Sequence, residues 1–186
     1  MVSPLSTSRL KRSASTPVPH RRGFTLLELL VVIAVIGIVA ALLLESFKSF
    51  EARAQRTRCS ANLKNLFVAL DAATRDQGHW PQCPYALGQT GYDLWWMKEL
   101  SNYNISRQSW ECPTFQRLQE HGEAEKKEGK TIDYTPTSFD DQPRTPYKWA
   151  TQPWLVEVGD FHGDGNLIVF PDGSIKGFNQ FISGQQ

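Results

Sequence analysis

From Phe24 to Leu44 the chain runs for 21 residues in which Glu28 is the only charged side chain. As a helix rising 1.5 Å per residue, this segment would span roughly 31 Å, enough to cross the hydrocarbon core of a bilayer. A span of this kind confines the rest of the chain to what can be hung from a membrane anchor. Glu28, fifth in the run, is the exception to its chemistry. An ionisable group inside a membrane span is costly and marks a functional position unless something neutralises it.

Charge is partitioned around this segment. Residues 1–23 hold Arg9, Lys11, Arg12, Arg21 and Arg22 and no acid, a local charge of +5, whereas the remainder has 15 basic and 19 acidic side chains. A basic segment before an apolar span stays in the cytoplasm, so the part that follows is expected to be translocated. The basic leader is rich in Ser, Thr and Pro and has little to bury, which predicts disorder. Topology accounts for its charge, and no nucleic-acid site is read from it.

A secretory signal would have an apolar core of about 7–15 residues and a small-x-small cleavage site. Here Val39-Ala40-Ala41 is followed directly by Leu42, Leu43 and Leu44. Arg21-Arg22 shares the paired arginines of a twin-arginine signal, but that signal gives no reason for Glu28, and neither does a plain anchor. Arg21-Arg22-Gly23-Phe24-Thr25-Leu26-Leu27-Glu28 instead resembles the amino terminus of type IV prepilins and type II secretion pseudopilins. The resemblance implies cleavage by a membrane peptidase after Gly23 and methylation of the new terminus at Phe24. It also implies that Glu28 pairs with a neighbouring subunit's terminal amine in a filament. The family's frequent proline near the twenty-second mature position is absent, since Glu45 stands there.

The helical pattern continues beyond the apolar run. Residues 45–76 contain neither Pro nor Gly, and Cys59, Leu63, Leu66, Leu70 and Ala73 recur at the spacing of one helical face. Gly78, with Pro81 beyond it, predicts the stop. Past that point the texture is broken by Pro and Gly. Tyr92 to Tyr103 reads as a short helix, and Glu120 to Lys130 as a solvated charged loop. Segments 154–158, 166–170 and 174–178 read as strands. Pro171-Asp172-Gly173 between the last two predicts a three-residue hairpin loop with glycine in the left-handed position.

The expected domains are a removable basic leader (1–23), a transmembrane and assembly helix (24–44), its amphipathic continuation (45–76) and a small extracytoplasmic domain (77–186) ending in a β-hairpin. The expected fold class is α+β: a long amino-terminal helix, half transmembrane and half amphipathic, packed on a small antiparallel sheet, as in pilins. A second resemblance lies further along. The segment from His162 to Gly173 is similar to the H-x9-DG ending of a group of bacterial pseudopilin-like proteins. Cys59-Ser60-Ala61-Asn62-Leu63-Lys64-Asn65-Leu66 and Trp110-Glu111-Cys112-Pro113 resemble other recurrent segments of that group.

Of the three cysteines, Cys59 sits on the apolar helix face as a small hydrophobe. Cys83 and Cys112, each followed by proline in loop-like sequence, are the candidate disulfide of an oxidising compartment. Zinc at His79 and Cys83 is disfavoured because Pro81 breaks the helix that would align them. Asp160, Asp164 and Asp172, with Asn166, offer hard oxygen ligands, which makes calcium the candidate metal, against a plain turn-stabilising role. No cofactor is required by the reading. No nucleophile, base and orienting group occur in a recognisable motif, so an enzyme is not expected. His162 reads as a structural hydrogen-bonding group, and most of the six tryptophans as core.

The sequence thus predicts a filament subunit of a type II secretion pseudopilus or type IV pilus-like structure. The alternative is an anchored extracytoplasmic binding module that does not polymerise. Expected partners are prepilin peptidase, other pilin or pseudopilin subunits, the inner-membrane assembly machinery and the membrane. The expected location is the bacterial inner membrane, single-pass with a cytoplasmic amino terminus, the distal domain being periplasmic or part of a filament.

Overall fold

The computed structural model describes residues 24–124, 131–163 and 165–184. By internal packing the chain forms two units that meet between Leu44 and Glu45. Helix α1 (Leu26–Gln77, 52 residues) supplies all the regular structure described in the first and the opening of the second. Its start is set by Thr25, whose hydroxyl accepts the Glu28 N–H at 3.2 Å while the Glu28 carboxylate accepts the Thr25 N–H at 3.0 Å. This reciprocal capping box satisfies two donors that a helix start otherwise leaves open. At the other end, Gly78 takes φ +75°, a left-handed conformation that a residue with a Cβ adopts at a cost.

In the first unit the window Leu26–Leu43 has a mean hydropathy of 3.0 and none of it is buried. Leu26 is 88 % exposed and Ile38 64 %. Length and composition suit a membrane crossing, and none of the described residues covers this surface.

In the second unit the predicted stripe is the core face of α1. Cys59, Leu63, Leu66, Leu70 and Ala73 are all fully buried, while Arg58, Lys64 and Arg75 lie on the exposed side. The remaining elements are α2 (Tyr92–Ser101), a 3₁₀ turn (Arg107–Trp110), α3 (Pro113–Glu120), α4 (Thr145–Lys148) and α5 (Phe178–Ser183), with strands β1 (Tyr134–Pro136), β2 (Leu155–Glu157), β3 (Leu167–Val169) and β4 (Ile175–Gly177). The strands form an antiparallel sheet in the order β1-β2-β3-β4. This is the α+β, pilin-like architecture expected from the sequence. Strands β2 to β4 fall inside the expected segments. The added strand is β1, three residues ending in Pro136. It pairs Tyr134 with Glu157 and Pro136 with Leu155, and proline is tolerated there because β1 is an edge.

The β3–β4 hairpin turns on Gly173 at φ +74°. Its N–H donates to the Phe170 carbonyl at 2.8 Å, and the Phe170 N–H to the Ser174 carbonyl at 3.0 Å. Trp154, fully buried, joins the layers: its ring lies 5.0 Å from both Phe67 of α1 and Trp80, and its indole N–H donates to the Pro146 carbonyl at 2.8 Å. Trp80, Trp96 and Trp110 are buried with it, whereas Trp149 is 48 % exposed. The charged segment expected as a loop begins in the last turn of α3, and its later part, 125–130, lies outside the described residues.

Candidate functional site

The first candidate site is the start of α1. Gly23, the expected cleavage position, lies outside the described residues. Phe24 is 78 % exposed. Among the described residues, Glu28 hydrogen-bonds only to Thr25, through its backbone N–H and through the hydroxyl at 2.9 Å. Both partners are neutral. The carboxylate therefore helps begin the helix and meets no counter-charge among the described residues. The sequence reading attended to the charge and passed over this second role, although Thr25-Leu26-Leu27-Glu28 carries the T-x-x-E capping pattern.

The second site lies in the globular unit, where the three distal segments singled out in the sequence come together. Cys59 of α1 places its sulfur 2.6 Å from that of Cys112, which caps the amino terminus of α3. Asn62 Nδ2 donates to the Glu111 carbonyl at 2.9 Å, and Lys64 Nζ to the Gly173 carbonyl at 2.9 Å. His162 Nε2 is 3.9 Å from Cys112 Sγ and 3.2 Å from Glu157 Oε1. Thus one helical segment, Cys59 to Lys64, holds both Cys112 and the hairpin.

This arrangement corrects the expected cysteine pairing. Cys112 faces Cys59 rather than Cys83, and Cys83 stands as a separate, half-buried thiol. The cause is packing: α3 begins at Pro113, directly after Cys112, and the Cys112 N–H donates to the buried Asp133 carboxylate at 2.7 Å. That anchor sets the Cys112 side chain on the apolar stripe of α1.

The side chains around the sulfurs are buried and polar. Glu157 is fully buried and the His162 side chain is 2 % exposed. Glu157 Oε2 accepts the Leu167 N–H at 3.2 Å, and the Glu157 carbonyl accepts Asn166 Nδ2 at 2.8 Å. The hydrogen bond from Cys112 pulls the Cys59 thiol well below its usual range, while the same contact and burial push Cys112 up. Burial works against a charged His162, but hydrogen bonds to Cys59 and Glu157 outweigh it and raise the imidazole to about 9. Tyr134, also fully buried, adds a hydroxyl beside the Cys59 sulfur.

The proposed calcium ligands have local partners. Asp160 Oδ1 accepts the Gly163 N–H and Asp172 Oδ1 the Ser174 N–H, each at 2.8 Å. Both are turn-closing bonds, and the Ser174 contacts hold Asp172 below the usual carboxylate range. Asp164 lies outside the described residues.

An apolar helix with one carboxylate at its start, followed by a small α+β unit, is the architecture expected of a pilin-like chain. Comparison with known proteins agrees. Residues 19–44 match the family described as the prokaryotic N-terminal methylation motif. The chain is 47 % identical over 51 residues to the type IV major pilin protein PilA of Myxococcus xanthus, covering 27 % of this chain and 23 % of that one. It is 45 % identical over 53 residues to the type IV major alpha-pilin of Moraxella bovis, covering 28 % and 33 %. Against the type IV major fimbrial protein FimA of Dichelobacter nodosus it is 32 % identical over 74 residues, covering 40 % and 46 %. The matched stretches span less than half the length of these relatives. No solved structure gives a significant match. Over these amino-terminal residues the chain is similar to type IV pilins.

Proposed function

We propose that the protein is a structural subunit of a pilus-like filament, either a type II secretion pseudopilus or a type IV pilus, cut after Gly23 and N-methylated at Phe24. The observation that carries this reading is Glu28: a carboxylate at the start of an uncovered apolar helix, with only the neutral Thr25 as partner among the described residues. Bundling such helices replaces lipid with the side chains of other subunits. In that dry setting a terminal amine at Phe24 and the Glu28 carboxylate of a neighbour neutralise each other. Leaving either unpaired is costly, which couples axial register to assembly. The chain is then a substrate of prepilin peptidase, held in the inner membrane until assembly, with the globular unit outside the cytoplasm.

The test is the amino-terminal mass of the protein from its native membranes, with and without prepilin peptidase. A start at N-methyl-Phe24 that disappears without the peptidase is expected. An intact leader in both cells would reduce the protein to an anchored module, and a cut beyond Ala40 would remove the filament reading altogether.

A further inference from the structure

Four side chains from separate stretches of the globular unit bring ligand atoms to one place. They are Cys59 of α1, Cys112 at the head of α3, Glu157 at the end of β2 and His162 in the loop beyond it, and their ligand atoms all lie within 4.8 Å of one another. We propose that these four residues form a zinc site, with Zn²⁺ bound by the two sulfurs, His162 Nε2 and Glu157 Oε1. The site is independent of the filament reading.

The donor set selects the ion. Two thiolates favour a thiophilic cation over calcium or magnesium, and a mixed sulfur, nitrogen and oxygen set of four suits tetrahedral zinc. The distances fit as well. Bond lengths of about 2.3 Å to sulfur and about 2.0–2.1 Å to nitrogen or oxygen make the edges of a tetrahedron about 3.3–3.8 Å long. The Cys112–His162 separation is 3.9 Å and the His162–Glu157 separation 3.2 Å. The two sulfurs, at 2.6 Å, must move apart to admit the ion, and the remaining ligand atoms lie within 4.8 Å of one another.

Burial separates this reading from a disulfide. A Cys59–Cys112 bond would use neither His162 nor Glu157, yet both are withdrawn from water and hold a ligand atom within 4.8 Å of the sulfurs. Retaining a buried carboxylate and imidazole has a desolvation cost that a cation between them and the thiolates offsets. On binding, both thiols and any imidazolium give up their protons to solvent, and four Zn–ligand bonds take their place. The ion would then tie α1, α3 and the sheet together, so that metal supply governs whether this unit holds its shape.

The full chain, purified in detergent without oxygen and freed of metal with a chelator, is titrated with Co²⁺ alone. One Co²⁺ per chain is expected, with the strong visible bands of tetrahedral cobalt and a near-ultraviolet thiolate charge-transfer band. One equivalent of Zn²⁺ should bleach both. His162→Gln should weaken binding by about a hundredfold or more, given that even outer partners of metal ligands are worth about 10–100-fold. Cys83→Ser should leave the spectrum unchanged. Elemental analysis of the unaltered chain from native membranes should give one zinc, whatever the variants do to folding. Weak octahedral cobalt bands without charge transfer would overturn the proposal. So would loss of the bands in Cys83→Ser, or a Cys59–Cys112 disulfide without zinc in the native chain.

Discussion

The Cys59 sulfur lies 2.6 Å from the Cys112 sulfur across 53 residues of chain, and both side chains are fully buried. Each is thereby withheld from reagents in water, whereas Cys83 is half-buried and stands apart. A maleimide added to the native chain is expected to give a single adduct, at Cys83, with Cys59 and Cys112 reacting only after unfolding and chelation of any bound metal. Peptide mass mapping checks this. Labelling of Cys112 in the native chain at the rate of Cys83 would mean that the contact with Cys59 does not hold in solution.

Gly173 carries a second prediction because two separate demands meet there. Its φ is +74°, and a Cβ would lie 2.5 Å from Lys64 Nζ and 2.8 Å from Phe67 Cε1. The left-handed backbone alone costs an alanine about 1–2 kcal/mol, and crowding against the packed Phe67 ring adds about 1–3 kcal/mol. Gly88, at φ +85° with nothing near its would-be Cβ, isolates the first term. Urea unfolding should therefore show Gly173→Ala less stable than Gly88→Ala by about 1 kcal/mol or more. Equal losses would show that the hairpin does not press on α1.

Trp154 is the point where helix, sheet and connecting loops share one ring, 5.0 Å from Phe67, 5.0 Å from Trp80 and 5.1 Å from Tyr147. Truncating it removes these contacts and leaves the Pro146 carbonyl without its donor. Trp154→Ala is expected to lose about 3–5 kcal/mol. Trp149→Ala, at an exposed ring, should stay within about 1 kcal/mol. Denaturant midpoints of the two variants decide it, and similar shifts would place the core elsewhere.

What could be read from the chain in advance follows from the range of the forces involved. The α1 stripe was legible because Cys59, Leu63, Leu66, Leu70 and Ala73 repeat at a local period that any partner surface must respect. The hairpin was legible because Pro171, Asp172 and Gly173 each supply a backbone preference within one turn. Strand β1 was not: three residues ending in proline carry no alternation, and Tyr134–Pro136 is extended only because Leu155–Glu157 pairs with it. The Cys112 partner was hidden for a related reason. Local sequence placed Cys83 and Cys112 in similar loops, but the Asp133 anchor and the α1 face, distant in sequence, decide where the thiol points. The convergence of His162 and Glu157 on those sulfurs depends on where β2 ends and how the loop beyond it turns back, and left no local periodicity to find. The capping role of Glu28 was written in four consecutive residues and was masked by the larger argument about its charge.

Those two roles of Glu28 can be separated. Its carboxylate accepts two hydrogen bonds from Thr25, a task that a glutamine carbonyl also performs in a capping box. Glu28→Gln thus keeps the helix start and removes only the charge. If the charge serves to meet a subunit's terminal amine, the variant should insert into the membrane as the parent does. Its recovery in sheared filaments or crosslinked ladders should fall about tenfold or more, because the buried amine is left without its partner. Thr25→Ala does the converse: it weakens the cap, worth about 0.5–2 kcal/mol, and keeps the carboxylate, so incorporation should survive while the first turn frays. Immunoblots of membrane and filament fractions from the two variants read both effects at once. Normal incorporation of Glu28→Gln beside impaired Thr25→Ala would make Glu28 a helix cap and nothing more, and register in any filament would then have to come from the apolar contacts of Leu26–Leu43.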